Sequence, residues 1–200
     1  MILIIILLAI LAWVIIMALI TLKMRVAQKV KEEELEKERE KARENHREYH
    51  YYIHGLEHKN DEGKKVINLI KRLAESQTEY YKDIKLADFK ENPFDDVYKY
   101  GDVVLNCDLE ETTFEDKTAV RVYAYDDDGE RHQAGWISAS QAEQVADMLR
   151  KHQCRTWIEI EGGPYKTYGE DENGRDRMTI EQEDMFPVVY ISYELDEEIS

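Results

Sequence analysis

Cationic side chains are scarce in the second half of this 200-residue chain. Residues 80–200 hold 13 Lys and Arg against 30 Asp and Glu, a net of about −17, while residues 1–79 hold 14 against 13. Phosphate backbones attract proteins through clustered Lys and Arg, so this balance disfavours broad nucleic-acid binding. It also repels an anionic lipid surface and keeps a domain soluble at high local density. Cysteine is nearly absent too: Cys107 and Cys154 form a lone, widely separated pair that suits a reducing compartment as well as one disulfide. No GxSxG elbow, P-loop, HExxH helix or Rossmann glycine fingerprint occurs, so no enzyme class is indicated. His132 and His152 have no local nucleophile partner that spacing certifies. The acidic stretch Gly169-Glu170-Asp171-Glu172-Asn173-Gly174 misses the offsets of an EF-hand and reads as a solvated hairpin tip.

Charge is missing altogether from Ile2 to Leu22, where Thr21 is the one polar residue. As a helix this run is about 31 Å long, enough to cross a hydrocarbon core of ~30 Å. A cleavable signal peptide fits poorly, because nothing basic precedes the run and Met24-Arg25 follows it in place of a small-residue cleavage site. Lys23, Arg25, Lys29 and Lys31 come directly after the span. They predict a single-pass membrane protein, embedded in the lipid bilayer, with its N-terminus out and the rest cytoplasmic.

Gly and Pro are also missing between Val26 and Arg47, a stretch dense in helix formers. Glu36 with Arg39, Glu38 with Lys41, Glu40 with Arg43 and Glu44 with Arg47 are oppositely charged pairs, each supporting a helix by about 0.2–0.5 kcal/mol. Leu35, Ala42, Tyr49 and Leu56 recur at seven, but polar companions leave only a weak coiled-coil seam for self-association. A charged helical stalk over 23–59 is the expectation. Its tail carries His46, His50, His54 and His58 at a strict spacing of four. On a helix, neighbouring imidazoles at that spacing can share a divalent transition metal or titrate together between roughly pH 5 and 8. Four ligands of one tetrahedral site cannot all come from a straight helix, and ordinary surface packing explains the pattern as well.

An amphipathic helix is predicted from about Asp61 to Tyr81, with Val66, Leu69, Ile70 and Leu73 on one face, within a linking segment 60–92 that ends at Asn92-Pro93. Beyond it, residues 93–200 switch to strand periodicity. Val103–Leu109, Ala119–Tyr125, Gly135–Ile137, Arg155–Glu161 and Pro187–Leu195 are short, β-branched or aromatic, and bounded by turn residues. Ser140 with Glu143 reads as a capping box ahead of a helix that buries Val145 and Leu149. The fold class is thus an N-terminal transmembrane helix (1–22), a stalk, and a small, mainly antiparallel α+β domain.

Gly101-Asp102 before a strand, Asp116-Lys117-Thr118-Ala119-Val120-Arg121-Val122, and Gly135-Trp136-Ile137 ahead of the helix from Ser140 occur in the order of a known pattern. The stretch Tyr100–Leu149 resembles the HIRAN domain, which is found alone in bacteria and fused to DNA-remodelling helicases in eukaryotes. The resemblance implies an OB-like barrel and, from the helicase-linked members, capture of the 3′ end of single-stranded DNA by an aromatic platform at an Asn-Pro-Tyr-Asp turn. This chain has Thr113-Phe114-Glu115-Asp116 there. The acid is kept, but Glu115 replaces the tyrosine, and a carboxylate neither stacks on a base nor tolerates its phosphate. Phe114, Glu115, Asp116 and Trp136 are the candidate ligand residues. The expected function is a membrane-tethered binding or scaffolding module for an unidentified protein partner, with DNA-end binding second and a metal- or pH-responsive His array third.

Overall fold

The computed structural model describes residues 29, 31, 35–37, 39–41, 43–59, 65–91 and 96–195, and separates two units, Met1–His46 and Arg47–Ser200. In the first unit, the described residues from Lys29 to Asn45 are helical, but among the described residues no long helical stalk forms. The helix does not continue through the histidines. Residues His46–Tyr52 form strand β1, which corrects the expected stalk over 23–59. Strong helix formers give out at Glu44, and the following Tyr49, Tyr51 and Ile53 alternate inward with outward His50, Tyr52 and His54. Aromatic residues at period two favour a pleated, half-buried surface.

A second correction concerns the membrane. No helix among the described residues is long and apolar enough to cross one, and none is a long coiled coil. The single-pass topology, its N-terminus-out orientation and the cytoplasmic placement therefore find no support; Ile2–Leu22 itself lies outside the described residues. What the structure shows instead is mostly antiparallel sheet.

Among the described residues, seven strands make that sheet: β1, β2 (Val97–Tyr98), β3 (Val104–Phe114), β4 (Lys117–Tyr125), β5 (Arg131–Trp136), β6 (Arg155–Glu170) and β7 (Asp176–Glu194). Their order is β1-β7-β6-β3-β4-β5, with β2 added to the far half of β6. The path closes on itself. Past the end of β1, His54 N–H donates to the Trp136 carbonyl at 2.8 Å and Trp136 N–H returns to His54 at 3.0 Å. Val120, Val122, Ala124, Ala134, Ile158, Val189 and Ile191 are wholly buried in the core. Helix α1 (Val66–Ala74) and, after a short 3-10 turn, helices α2 (Glu79–Asp83) and α3 (Leu86–Glu91) lie between β1 and β2 in sequence; α4 (Ala142–Lys151) follows β5.

Helix α1 presses Val66, Leu69, Ile70 and Leu73 into the core, as their spacing predicts. α4 buries Ala142, Val145, Ala146 and Met148, leaving Leu149 only partly covered. The Ser140–Glu143 box does not form: Gln141 stands at the N-cap position without a side-chain capping bond, and its side-chain oxygen accepts from the Ser138 hydroxyl at 2.6 Å. The β6–β7 hairpin runs on past a bulge between Gly162 and Pro164 as an arm, to which β2 adds a short third strand along β6. Lys166 ties the arm to α2: its buried ammonium donates to the carbonyls of Tyr81 (2.5 Å) and Ile84 (2.9 Å) and lies 4.6 Å from the Tyr81 ring centre. Two turns share one design. Asp126 and Asp171 each accept backbone N–H bonds on Oδ1 from residues two and four ahead, with Gly129 and Gly174 at positive φ.

The seam admits only glycine at position 135. There φ is +129°, and a β-carbon would sit 2.5 Å from both the His54 carbonyl and the Ile53 side chain. Gly135→Ala therefore costs about 3 kcal/mol or more through strain plus overpacking. Gly129→Ala, with φ +79° and open space around it, costs only about 1–2 kcal/mol. Urea unfolding of the two variants checks the order; equal losses would mean that the seam carries no steric constraint.

Candidate functional site

Beside the seam lies a cavity of about 580 Å³ built from three chain segments. The stretch after β1 contributes His54, Gly55 and His58, the β3–β4 hairpin contributes Phe114, Glu115, Lys117 and Thr118, and the passage from β5 into α4 contributes Trp136, Ile137 and Ala142. Phe114 pairs with Lys117 across a two-residue turn in which Glu115 (φ 50°) and Asp116 (φ 60°) are both left-handed. That is the geometry of a type I′ hairpin, whose twist matches the flanking strands. It projects Phe114 outward, 64% exposed, at the rim.

Cations and rings interleave on the adjoining outer face. The Arg121 guanidinium lies 4.8 Å from the Trp136 ring centre and donates to the Tyr123 hydroxyl at 2.8 Å. Arg131 stacks 3.6 Å over Tyr123 and pairs with Glu110 at 2.7 Å. Arg121 has no ion pair among the described residues, and its buried Nε has no hydrogen-bond partner.

Three of the four expected ligand residues, Phe114, Glu115 and Trp136, thus line one cavity. Asp116 occupies the turn without lining it and, among the described residues, makes no side-chain hydrogen bond. Trp136 is half-buried at the seam, not a core residue. The histidines separate. Along a strand, four residues span about 13 Å, so His46, His50 and His54 do not converge on one ion. His54 and His58 meet at the cavity instead. Among the described residues, the His, Asp and Glu donors that do cluster are Asp126, Glu130 and His132, with ligand atoms within 4.8 Å of one another. There Asp126 accepts from two backbone amides and contacts His132 Nε2 at 2.9 Å. His132 and the turn amides hold the Asp126 carboxyl below its usual range. Lys117 escaped the sequence reading, although its place directly after the turn, opposite Phe114, marks it.

Neither cysteine is poised as a nucleophile. Burial pushes the Cys107 thiol up to about 12 and raises that of Cys154, and both are free. No family model, curated protein or solved structure matches this chain.

Two outcomes follow from these geometries. Glutamate tolerates left-handed backbone poorly, whereas Asn suits the first position of this turn; Glu115→Asn therefore gains about 0.5–1 kcal/mol, read by chemical unfolding, while Glu115→Ala changes little. An unfolded thiol ionises near pH ~8.5, but folded Cys107 keeps its proton to about 12. Stability from this group is complete below that lower pH and is lost as pH rises toward the folded value. Cys107→Val removes its share of the alkaline decline, and an unchanged slope would contradict the burial.

Proposed function

We propose that this chain is a binding module and that the cavity beside the barrel seam is its ligand site. The observation that carries the reading is the convergence of Trp136, Phe114, His54 and His58 around one concave space, with Lys117 and Glu115 at its mouth. Aromatic walls with a few placed polar groups suit a small planar ligand that stacks and is oriented at its edge. Lys117 favours an acidic or carbonyl-bearing edge, and Glu115 a donor beside it.

A second reading keeps the DNA 3′ end as the ligand, as the HIRAN resemblance suggests. The exposure of Phe114 beside Lys117 favours it. The excess of carboxylates over residues 80–200 opposes it, since the counterion-release contribution is missing.

Thermal-shift measurement against a panel of nucleosides and indoles, together with a short oligonucleotide bearing a free or blocked 3′ hydroxyl, tests both. A small planar ligand that raises the melting temperature of the parent but not of Phe114→Ala or Lys117→Ala supports the first reading. A ligand that stabilises all three equally binds elsewhere and refutes it. Micromolar oligonucleotide binding that needs the free hydroxyl and vanishes in Phe114→Ala replaces it with the second.

A further inference from the structure

The outer face of β1, β7 and β6 differs in chemistry from the rest of the barrel. Interior Ile158, Ile160, Val189 and Ile191 alternate with outward residues that are mostly rings and carboxylates. Trp157 on β6 stacks on Tyr190 of β7 at 5.4 Å and 10°, and His50 of β1 follows Tyr190 at 5.9 Å. One row along, Tyr52 meets Phe186 edge-on at 6.1 Å, and both are about half exposed. Between the rows, Val188 is fully buried although it points outward.

Glutamates are fixed into this face. Glu159 Oε1 accepts the Trp157 indole N–H at 2.8 Å, and Glu161 Oε2 accepts the Tyr52 hydroxyl at 3.2 Å. Tyr190, whose phenol is held up first by burial, also feels the charges of Glu159, Glu161 and Glu48. Three carboxylates from two strands therefore surround an upright aromatic stack. Such a surface repels phosphate and attracts a planar cation, which can lie against a ring and offer paired N–H donors to a carboxylate.

We propose that this face is a docking surface for an arginine-bearing peptide segment of a partner protein, with guanidinium groups lodged between the Trp157–Tyr190 row and Glu159 and Glu161. The surface is independent of the cavity at the seam. Arginine is preferred over lysine because its planar fork uses ring and carboxylate together, whereas an ammonium uses the charge alone.

The test is fluorescence anisotropy of a labelled alternating Arg-Ser peptide with the full-length chain at physiological salt. The Arg-Ser peptide binds in the micromolar range, and its Lys-Ser counterpart at least threefold more weakly. The double variant Glu159→Gln, Glu161→Gln weakens binding at least tenfold, and Trp157→Leu does so at unchanged net charge. Glu170→Gln with Glu172→Gln, at the arm's tip, removes the same charge and changes affinity less than twofold. Equal losses in the two double variants would reduce the effect to bulk charge and overturn the proposal, as would the absence of binding to the parent. Should Trp157→Leu unfold, the two charge-matched doubles decide alone.

Discussion

One pair of backbone hydrogen bonds, between His54 and Trp136, turns an open sheet into a ring. Without it β1 and β5 would be two free edges, each offering unpaired amides and carbonyls to other chains. With it, the segment after β1 is brought against the β3–β4 hairpin and the entry to α4, and the cavity exists only because those three meet. The bond pair is short-range in space but long-range along the chain, joining residues 54 and 136. β1 is likewise paired with a strand that ends at Glu194. Closure of such distant pairs carries a loop-entropy cost that the local hairpins do not.

The parts of the fold written locally are legible in the sequence. Asp126-Asp127-Asp128-Gly129 announces its turn and the alternation from Val120 to Tyr125 announces β4, whereas Asn173-Gly174, which resembles a two-residue hairpin, lies inside the longer loop 171–175. The same reasoning fails where two structures share a signal. A spacing of four places residues on one face of a helix, but four is also even, so a strand does the same; the histidines of β1 therefore read as helix. β6 reads too short because Gly162-Gly163-Pro164 resembles a loop, whereas the strand passes through it as a bulge. Helix α3 lies in a stretch with no strong periodic face and escapes notice.

The candidate site was legible in part, for a similar reason. Phe114 and Glu115 are neighbours in sequence, and Trp136 follows from the strand that precedes α4. That His54 and His58 join them depends on the seam, one bridge with no sequence signature. The aromatic face of β1, β7 and β6 was invisible, since Trp157, Tyr190 and His50 come from three strands whose order only the folded sheet reveals.

Closing the ring moves the problem of exposed strand edges without abolishing it. Beyond the bulge, the short β2 flanks the arm on its β6 side, while the outer side of β7 there has no neighbouring strand among the described residues. Arg177, Glu181, Glu183 and Asp184 stand along that stretch, with Ile180 exposed among them. Charges spaced along an open edge are what discourage a second chain from adding itself as the next strand. The acidity that looks like mere solubility in the composition thus has a local task on the arm: it keeps a sheet that is finished at one end from growing at the other.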